Sequence, residues 1–214
     1  MKALILGGTK GIGKAIADEL STFCDIEVTD RKIVDTSDID SVQEFIKHQS
    51  EPIDVLVLNT GGPPAKSFFE ITLEEWLKYH NQLFLGFCLL LQNLKIADNG
   101  YIFLISSFNI KEPNGNLVLS NSYRAASSSI LKSLSKEYAK HGISCINIAP
   151  GPIKTQRLEG LVEDMEAFEA TLPYGKAAEP QELGKFVGVI VKNQIHYLNG
   201  VTINFDGGHS NFVF

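Results

Sequence analysis

Apolar residues in this chain fall into short runs that are separated by stretches of helical periodicity. Strands that are buried on both faces of a parallel sheet need such continuous apolar runs. The runs, with one alternating stretch, predict strands at 3–6, 25–29, 54–58, 101–105, 143–148 and 201–205. The stretches between them predict helices at 14–20, 39–48, 74–94, 120–141 and 181–192. This alternation predicts an α/β fold, a doubly wound parallel sheet in a single domain over residues 1–214.

Three segments have less regular patterns. Residues 33–34 follow the second strand too closely for a helix, so we expect a short strand there at most. Residues 156–172 are polar and irregular, which predicts a small lid. The helix at 74–94, which a capping box at Thr72 and Glu75 begins, has apolar positions on more than one face. This helix is either covered by the sheet and a partner subunit or is simply a well-buried central helix.

Composition narrows the function classes. The chain has 214 residues and a formal charge of −6, which suits one domain and argues against a nucleic-acid surface. The apolar run at 83–91 is too short to span a bilayer, and we expect neither a signal peptide nor a membrane partner. Cys24, Cys88 and Cys145 form no CxxC pair, which favours reduced thiols, a cytoplasmic location and no metal site.

A glycine-rich turn joins the first strand to the first helix, over residues 7–13. Gly7 can adopt the backbone conformation of a tight turn, Gly11 lets the main chain approach a ligand, and Gly13 lets the helix pack on the strand. The free N–H groups at the start of the helix favour a pyrophosphate. An ordinary glycine-rich loop is the less favoured alternative for this turn, and the other segments have to decide.

Four further strand ends carry residues suited to a ligand: Asp30, the segment 59–62, the pair Ser106–Ser107, and the segment 150–155. In a parallel sheet the carboxyl ends of the strands lie at one edge, where ligands bind. The five loops therefore predict a nucleotide site.

The residue after the second strand bears on the choice of nucleotide. Asp30 can accept hydrogen bonds from an adenosine ribose and repel a 2′-phosphate, whereas Arg31 and Lys32 can bind that phosphate. We favour NAD over NADP on this basis. The alternative is that the three residues form a solvated turn.

These motifs together resemble the short-chain dehydrogenase/reductase family over essentially the whole chain. The family's T-G-x3-G-x-G turn is similar to residues 7–13, its N-N-A-G turn to 58–61, its N-x-x-x-P-G segment to 147–151, and its D-G-G to 206–208. The resemblance implies a compact Rossmann fold and a dinucleotide cofactor. The candidate cofactor-binding residues are Gly7, Thr9, Lys10, Gly11, Ile12, Gly13, Asp30, Arg31, Asp35, Thr36, Asn59, Thr60, Gly61, Arg124, Pro150, Gly151, Ile153 and Thr155.

The family's catalytic Ser, Tyr, Lys and Asn are only partly present. The serine matches Ser107, but the resemblance places Ser120 at the tyrosine position, Arg124 at the lysine position and Leu83 at the asparagine position. In the family the serine polarises a carbonyl and the tyrosine transfers the proton. A serine hydroxyl cannot replace an activated tyrosine, and losing a positioned acid typically costs roughly 10² to 10⁴ in rate. Arg124 stays charged and can still bind the nicotinamide ribose.

Tyr123 is a further candidate acid because it precedes Arg124, although packing or an interface role is the simpler explanation. The candidate catalytic residues are therefore Ser107, Ser120, Tyr123 and Arg124. We expect an NAD(P)-dependent oxidoreductase of a small alcohol or carbonyl substrate, with the proton supplied by water, Ser120 or Tyr123. Residues 116–122 resemble a branch of the family labelled 3-oxoacyl carrier-protein reductase-like.

The alternative function is a catalytically silent module that binds a dinucleotide and acts through its oligomer surface. Members of the family usually pair through two long helices. The resemblance therefore implies a homodimer or homotetramer through the helices at 74–94 and 120–141.

Overall fold

The computed structural model describes residues 1–213 and contains a six-stranded sheet in which every neighbouring pair of strands is parallel. The strand order is β2-β1-β3-β4-β5-β6. The strands are β1 (Lys2–Ile5), β2 (Asp25–Val28), β3 (Ile53–Leu58), β4 (Ile96–Ile105), β5 (Ser144–Pro150) and β6 (Val201–Phe205). The order reverses between β1 and β3, so the predicted doubly wound arrangement is confirmed.

Within residues 1–213, eight α-helices connect and flank the strands. They are α1 (Gly11–Leu20), α2 (Ile39–Lys47), α3 (Leu73–His80), α4 (Gly86–Asn93), α5 (Val118–Tyr138), α6 (Gln156–Glu159), α7 (Met165–Ala170) and α8 (Pro180–Lys192). Helices α1 and α8 pack together on one face of the sheet, and α2, α4 and α5 cover the other. The alternation of side chains along a strand serves both layers. Leu4 and Leu56 join the core under α4, whereas Ile5 and Val55 join the core under α1.

The caps explain where several helices begin and end. The Asp38 side chain accepts hydrogen bonds from the Asp40 and Ser41 N–H groups and starts α2. The predicted capping box of Thr72 and Glu75 is present at α3. Such caps satisfy N–H groups that have no partner within the helix. They therefore fix the direction in which each helix leaves its loop.

The predicted helix at 74–94 is one helical run with a wide turn in its middle. Residues 81–85 form a π-helical turn between α3 and α4. The Asn81 amide donates to the Ser37 carbonyl at 3.4 Å, and Gly86 lies against the Thr36 carbonyl, where a Cβ would come within 2.9 Å. A π turn is rare and often lies beside a functional site. Here it directs Gln82 towards the loop after β3.

Of the expectations for the less regular segments, that of a short strand at most at 33–34 is met, and that of an irregular course over 156–172 was wrong. Residues 33–34 form no strand, because the N–H groups of Ile33 and Val34 both donate to the Asp30 carbonyl and close a turn. The segment at 156–172 is not irregular throughout, since it contains α6 and α7. The Thr155 and Asp164 side chains cap these two helices, which is why polar residues there do not produce a loop.

Candidate active site

A cleft with a volume of about 1300 Å³ lies where the carboxyl ends of the strands meet the loops that follow them. It brings together most of the predicted cofactor residues. Those that line it are Gly7, Thr9, Lys10, Gly11, Ile12, Asp30, Arg31, Thr36, Asn59, Thr60, Gly61, Arg124, Pro150, Gly151, Ile153 and Thr155. The sheet topology alone explains this convergence, because parallel strands deliver their following loops to one edge.

The glycine turn after β1 has the backbone that its sequence requires. Gly7 and Gly11 have φ values of 59° and 52°, a region that favours glycine. The Asn59 amide donates to the Leu6 and Gly7 carbonyls at 3.3 and 3.2 Å and ties the turn to the end of β3. Gly13 does not line the cleft, and a Cβ there would collide with the Gly7 carbonyl oxygen. Its role is close packing of α1 on the turn.

The space in front of this turn suits a dinucleotide. No side chain caps the first N–H groups of α1, so they are available to an anion. A Cβ on Gly61 would have no protein atom within 4 Å, so protein packing does not require glycine at this position. The Thr29 hydroxyl, which is buried and lines the cleft, has no hydrogen-bond partner within residues 1–213. A ligand in the cleft would explain both features.

Asp35 is a predicted cofactor residue that the structure does not bring to the cleft. Its carboxylate accepts from the Ser37 N–H at 2.9 Å and the Ser37 hydroxyl at 2.7 Å. The Asp35 side chain is therefore hydrogen-bonded within the turn before α2. Thr36, its neighbour, does line the cleft.

Asp30 lines the cleft, but its carboxylate is also partly engaged. One oxygen accepts from the Lys32 N–H at 2.9 Å. Lys10, Arg31 and Lys32 are exposed at the same rim and form no ion pair within the described chain. The rim is therefore rich in unpaired cations.

Ser107 lies at the end of β4 and lines the cleft. Its hydroxyl oxygen accepts from the Asn109 N–H at 3.2 Å and caps a single 3₁₀ turn. A hydroxyl can accept and donate at once, so the Ser107 O–H remains available to a ligand. The neighbouring Ser106 hydroxyl instead donates to the Ile148 carbonyl at 3.2 Å.

Arg124 joins three parts of the site. Its guanidinium donates to the Ser120 hydroxyl oxygen at 3.2 Å, to the Ile105 carbonyl at 2.7 Å and to the Thr60 carbonyl at 3.2 Å. All three nitrogens are therefore engaged, and α5 is fastened to the ends of β3 and β4. Burial, and to a smaller extent the nearby charge of Arg157, lower the pKa of Arg124 to about 10. It remains charged at neutral pH.

Tyr123 is not among the residues that line the cleft, and the structure favours the packing role that was the simpler explanation for it. Its hydroxyl donates to the Trp76 carbonyl at 3.2 Å, and its ring packs edge-on against the rings of Trp76 and His80. On a helix, residue 123 is turned about 100° from residue 124, so only one of the two can face the strand ends. Burial raises the pKa of Tyr123, which further disfavours proton release.

Arg157 and His209 are two of the cleft residues that sequence reasoning missed. Arg157, on α6, donates to the Pro63 carbonyl on the opposite side of the cleft. His209 follows the predicted D-G-G segment and packs its ring edge-on against Phe108, with 5.1 Å between ring centroids. The sequence signal for Arg157 was a single basic residue two positions after Thr155, and no sequence pattern indicated His209.

Gln82 supports the loop after β3 from the π turn. Its amide donates to the Gly61 carbonyl at 2.7 Å and to the Thr60 hydroxyl oxygen at 3.3 Å. The adjacent Leu83, at the family's asparagine position, is buried and offers only its backbone carbonyl, which accepts from the Ser127 hydroxyl. Leu83 therefore cannot replace the missing side-chain amide.

The remaining chemistry of the described residues is limited. No group of three His, Cys, Asp or Glu side chains among residues 1–213 could hold a metal ion. The three cysteines are free thiols, and burial raises the pKa of each, to about 12 for Cys145. No helix in this part of the chain is both long and apolar enough to cross a membrane.

A parallel sheet with this glycine turn and a cleft at its strand ends defines a dinucleotide-binding α/β protein. A family model described as enoyl-(acyl carrier protein) reductase matches residues 10–210. The chain belongs to the short-chain dehydrogenase/reductase family of oxidoreductases.

Curated relatives cover nearly the whole chain. A 3-oxoacyl-[acyl-carrier-protein] reductase FabG of Haemophilus influenzae is 29% identical over 241 aligned positions, which cover 96% of each protein. A tropinone reductase homolog of Arabidopsis thaliana is 27% identical and covers 96% of this chain and 90% of its own length.

Solved structures share the fold. A short chain dehydrogenase from Burkholderia cenocepacia, in complex with NADP, has a TM-score of 0.88 at 21% identity, covering 97% of this chain and 96% of its own. A blue fluorescent protein from a metagenomic library, in complex with NADPH, has a TM-score of 0.89 at 22% identity, covering 98% of both chains.

Proposed function

We propose that this protein is an NAD(P)-dependent oxidoreductase that acts on a small alcohol or carbonyl compound with altered proton delivery. One observation carries this proposal: the Ser107 hydroxyl, with its O–H unengaged, lines the same cleft as the glycine turn. A bound nicotinamide would supply or accept the hydride. Ser107 would donate a hydrogen bond to the substrate oxygen and stabilise the charge that develops there.

Proton delivery in this proposal does not involve Tyr123. The Ser120 oxygen accepts from the Arg124 guanidinium, so its own O–H is free to donate. Neither a serine hydroxyl nor an isolated water is a strong enough acid to protonate an alkoxide unaided. The proton would therefore come from bulk solvent along waters in the open cleft, and Ser120 would orient the water next to the substrate oxygen. We therefore expect the rate of proton transfer to be lower than in tyrosine-containing relatives by a factor of roughly 10² to 10⁴.

The rim of the cleft supports NADP as the preferred cofactor, although the sequence alone favoured NAD. One carboxylate oxygen of Asp30 is hydrogen-bonded within its own turn, whereas Lys10, Arg31 and Lys32 present unpaired positive charge. A 2′-phosphate carries the opposite charge and suits such a cluster. The two solved neighbours described above were obtained with NADP and NADPH.

The cofactor preference is tested by titrating NADH and NADPH into the protein and into Arg31→Gln. We expect wild type to bind NADPH at least tenfold more tightly, and Arg31→Gln to lose most of that difference. A wild-type preference for NADH would contradict this assignment and restore the role of Asp30.

The activity is tested by following nicotinamide absorbance with panels of carbonyl compounds and alcohols. On any substrate that is turned over, Ser107→Ala should lower kcat/KM by about 10²-fold, the usual cost of removing one such donor. Ser106→Ala is the matched control and should retain activity within a few-fold, because its hydroxyl is bonded within the sheet. Equal activity of Ser107→Ala and wild type would refute the role of Ser107.

The replacement of the tyrosine and lysine positions by Ser120 and Arg124 also supports a second candidate, a dinucleotide-binding regulatory module. It differs from the enzyme in one measurable respect. Saturable cofactor binding with no turnover on either panel would favour the module, whereas turnover that depends on Ser107 would exclude it.

We also propose a homodimer or homotetramer that pairs through the helical run at 73–93 and through α5. Leu73 and Leu77 on α3 are exposed in the single chain, which supports an apolar contact surface there. Light scattering should give a mass of two or four chains. Leu77→Glu should lower that mass, and a monomeric wild type would contradict the proposal.

A further inference from the structure

The arginines of this chain are concentrated in one place. The sequence contains three, Arg31, Arg124 and Arg157, and all three line the cleft. Arginine presents a planar fork of donors that matches oxyanions and stays charged when it is partly buried. Arg31 lies at the cofactor rim and Arg124 is engaged by backbone carbonyls. Arg157 is therefore the one whose ligand has to be identified.

Arg157 is positioned near the catalytic serines by a continuous chain of contacts. Arg124 connects Ser120 to the Thr60 carbonyl. The Arg157 guanidinium lies against Gly62, two residues further along the same loop, where a Cβ would come within 3.2 Å of Nη2 and 3.4 Å of Cζ. Gly62 thus allows the guanidinium to lie flat on the backbone at the mouth of the site.

The charge of Arg157 has no carboxylate partner in the described chain. Its side chain makes a single hydrogen bond there, from Nη2 to the Pro63 carbonyl, so its Nε–H and both Nη1–H donors are unengaged. The carboxylates that line the cleft belong to Asp18, which pairs with Lys14, to Asp30 at the rim, and to Glu159. None of them lies within 4 Å of a guanidinium nitrogen. Partial burial lowers the pKa of Arg157, so the charge lacks both full solvation and a counterion.

We propose that Arg157 binds an oxyanion of the substrate, a carboxylate or phosphate group, so that the substrate class of this oxidoreductase is an anionic carbonyl or alcohol compound. This inference rests on the proposed function. The guanidinium would donate to the oxyanion in a two-point contact, through the second Nη2–H and the Nε–H or Nη1–H beside it. The nearby charge of Arg124 would add to the attraction. The same chemistry is available from the cofactor's own phosphates, and the experiment separates the two sources.

The test uses the side-chain Nε–H signals of ¹⁵N-labelled protein, of which only three are expected and which Arg→Lys variants assign. Malonate is the anionic probe and dimethyl malonate the neutral control, each titrated with and without saturating NADP. With NADP bound, malonate should shift the Arg157 signal saturably and dimethyl malonate should not. Arg157→Gln should weaken malonate binding, measured by calorimetry, by about tenfold or more. Lys185→Gln, which removes an exposed lysine on α8, should not change it.

Two results would overturn the inference. If NADP itself shifts the Arg157 signal and abolishes the response to malonate, the oxyanion is the cofactor's. If malonate leaves the signal unchanged with and without NADP, the Pro63 contact is the only role of Arg157. Neither result affects the proposed function, which fails separately if neither NADP nor NAD binds.

Discussion

Substituting alanine for Gly61 or for Gly13 separates effects on folding stability from effects on ligand binding. A Cβ on Gly61 meets no protein atom within 4 Å, and its φ is not positive, whereas a Cβ on Gly13 collides with the Gly7 carbonyl. The same Gly→Ala change should therefore have opposite effects on the free energy of unfolding at the two positions.

The magnitudes follow from the contacts. At Gly61, alanine reduces the entropy of the unfolded chain and should stabilise by about 0.4–1 kcal/mol. At Gly13, a helix interior gains about 1 kcal/mol from alanine, but overpacking against a backbone atom that cannot rotate away costs about 3 kcal/mol. The net loss of about 2 kcal/mol lowers the Tm by roughly 4–8 °C for a chain of this size.

The ligand-binding prediction concerns Gly61 alone. Its new methyl group would project into the cleft, so Gly61→Ala should weaken the binding of the dinucleotide by about tenfold, or ~1.4 kcal/mol. Thermal unfolding and a fluorescence titration with the reduced cofactor measure the two effects independently. Unchanged cofactor affinity in Gly61→Ala would refute the placement of the ligand, and an unchanged Tm in Gly13→Ala would refute the packing argument.

Two further predictions concern side chains outside the cofactor site. Tyr123→Phe should leave turnover within a few-fold of wild type. It should lower stability by about 0.5–1.5 kcal/mol, because the hydrogen bond to the Trp76 carbonyl is lost. A 10²-fold loss of kcat would show that the tyrosine does reach the substrate. The Lys66 ammonium and the Thr72 N–H hold the pKa of Glu75 below its ordinary value. The capping box therefore adds stability at pH values above the pKa that Glu75 has in the unfolded chain. This stability is lost as the pH falls through the pKa that Glu75 has in the folded protein. Glu75→Gln should accordingly reduce the acid-side fall of the Tm, and an identical pH dependence in both proteins would contradict that assignment.

The fold was largely predictable because its signals are local and repeated. Continuous apolar runs identified the strands, and Thr72 with Glu75 marked a helix start that the structure contains. At residues 33–34 two β-branched residues favour a strand, while the Asp30 carbonyl closes a turn there instead. Propensity is a weak guide over two residues, where a single hydrogen-bonded turn decides the conformation.

The site was predictable only in part, for a different reason. The loop positions of the parallel sheet follow from topology, so the strand ends were enough to predict that most of the candidate cofactor residues line one cleft. The direction of a side chain on a helix does not follow from adjacency in sequence, which is why the sequence left both an acid role and a packing role open for Tyr123. Arg157 was missed because its contact with Pro63 joins residues 94 positions apart, and no local pattern records such a contact.

The central claim is that the cleft at the strand ends binds a nicotinamide dinucleotide, and a fluorescence titration of the wild-type protein with NADPH and NADH tests it most directly. The account predicts saturable binding of one NADPH per chain, with NADH competing for the same site at lower affinity. Absence of saturable binding of both cofactors up to millimolar concentration would contradict the claim.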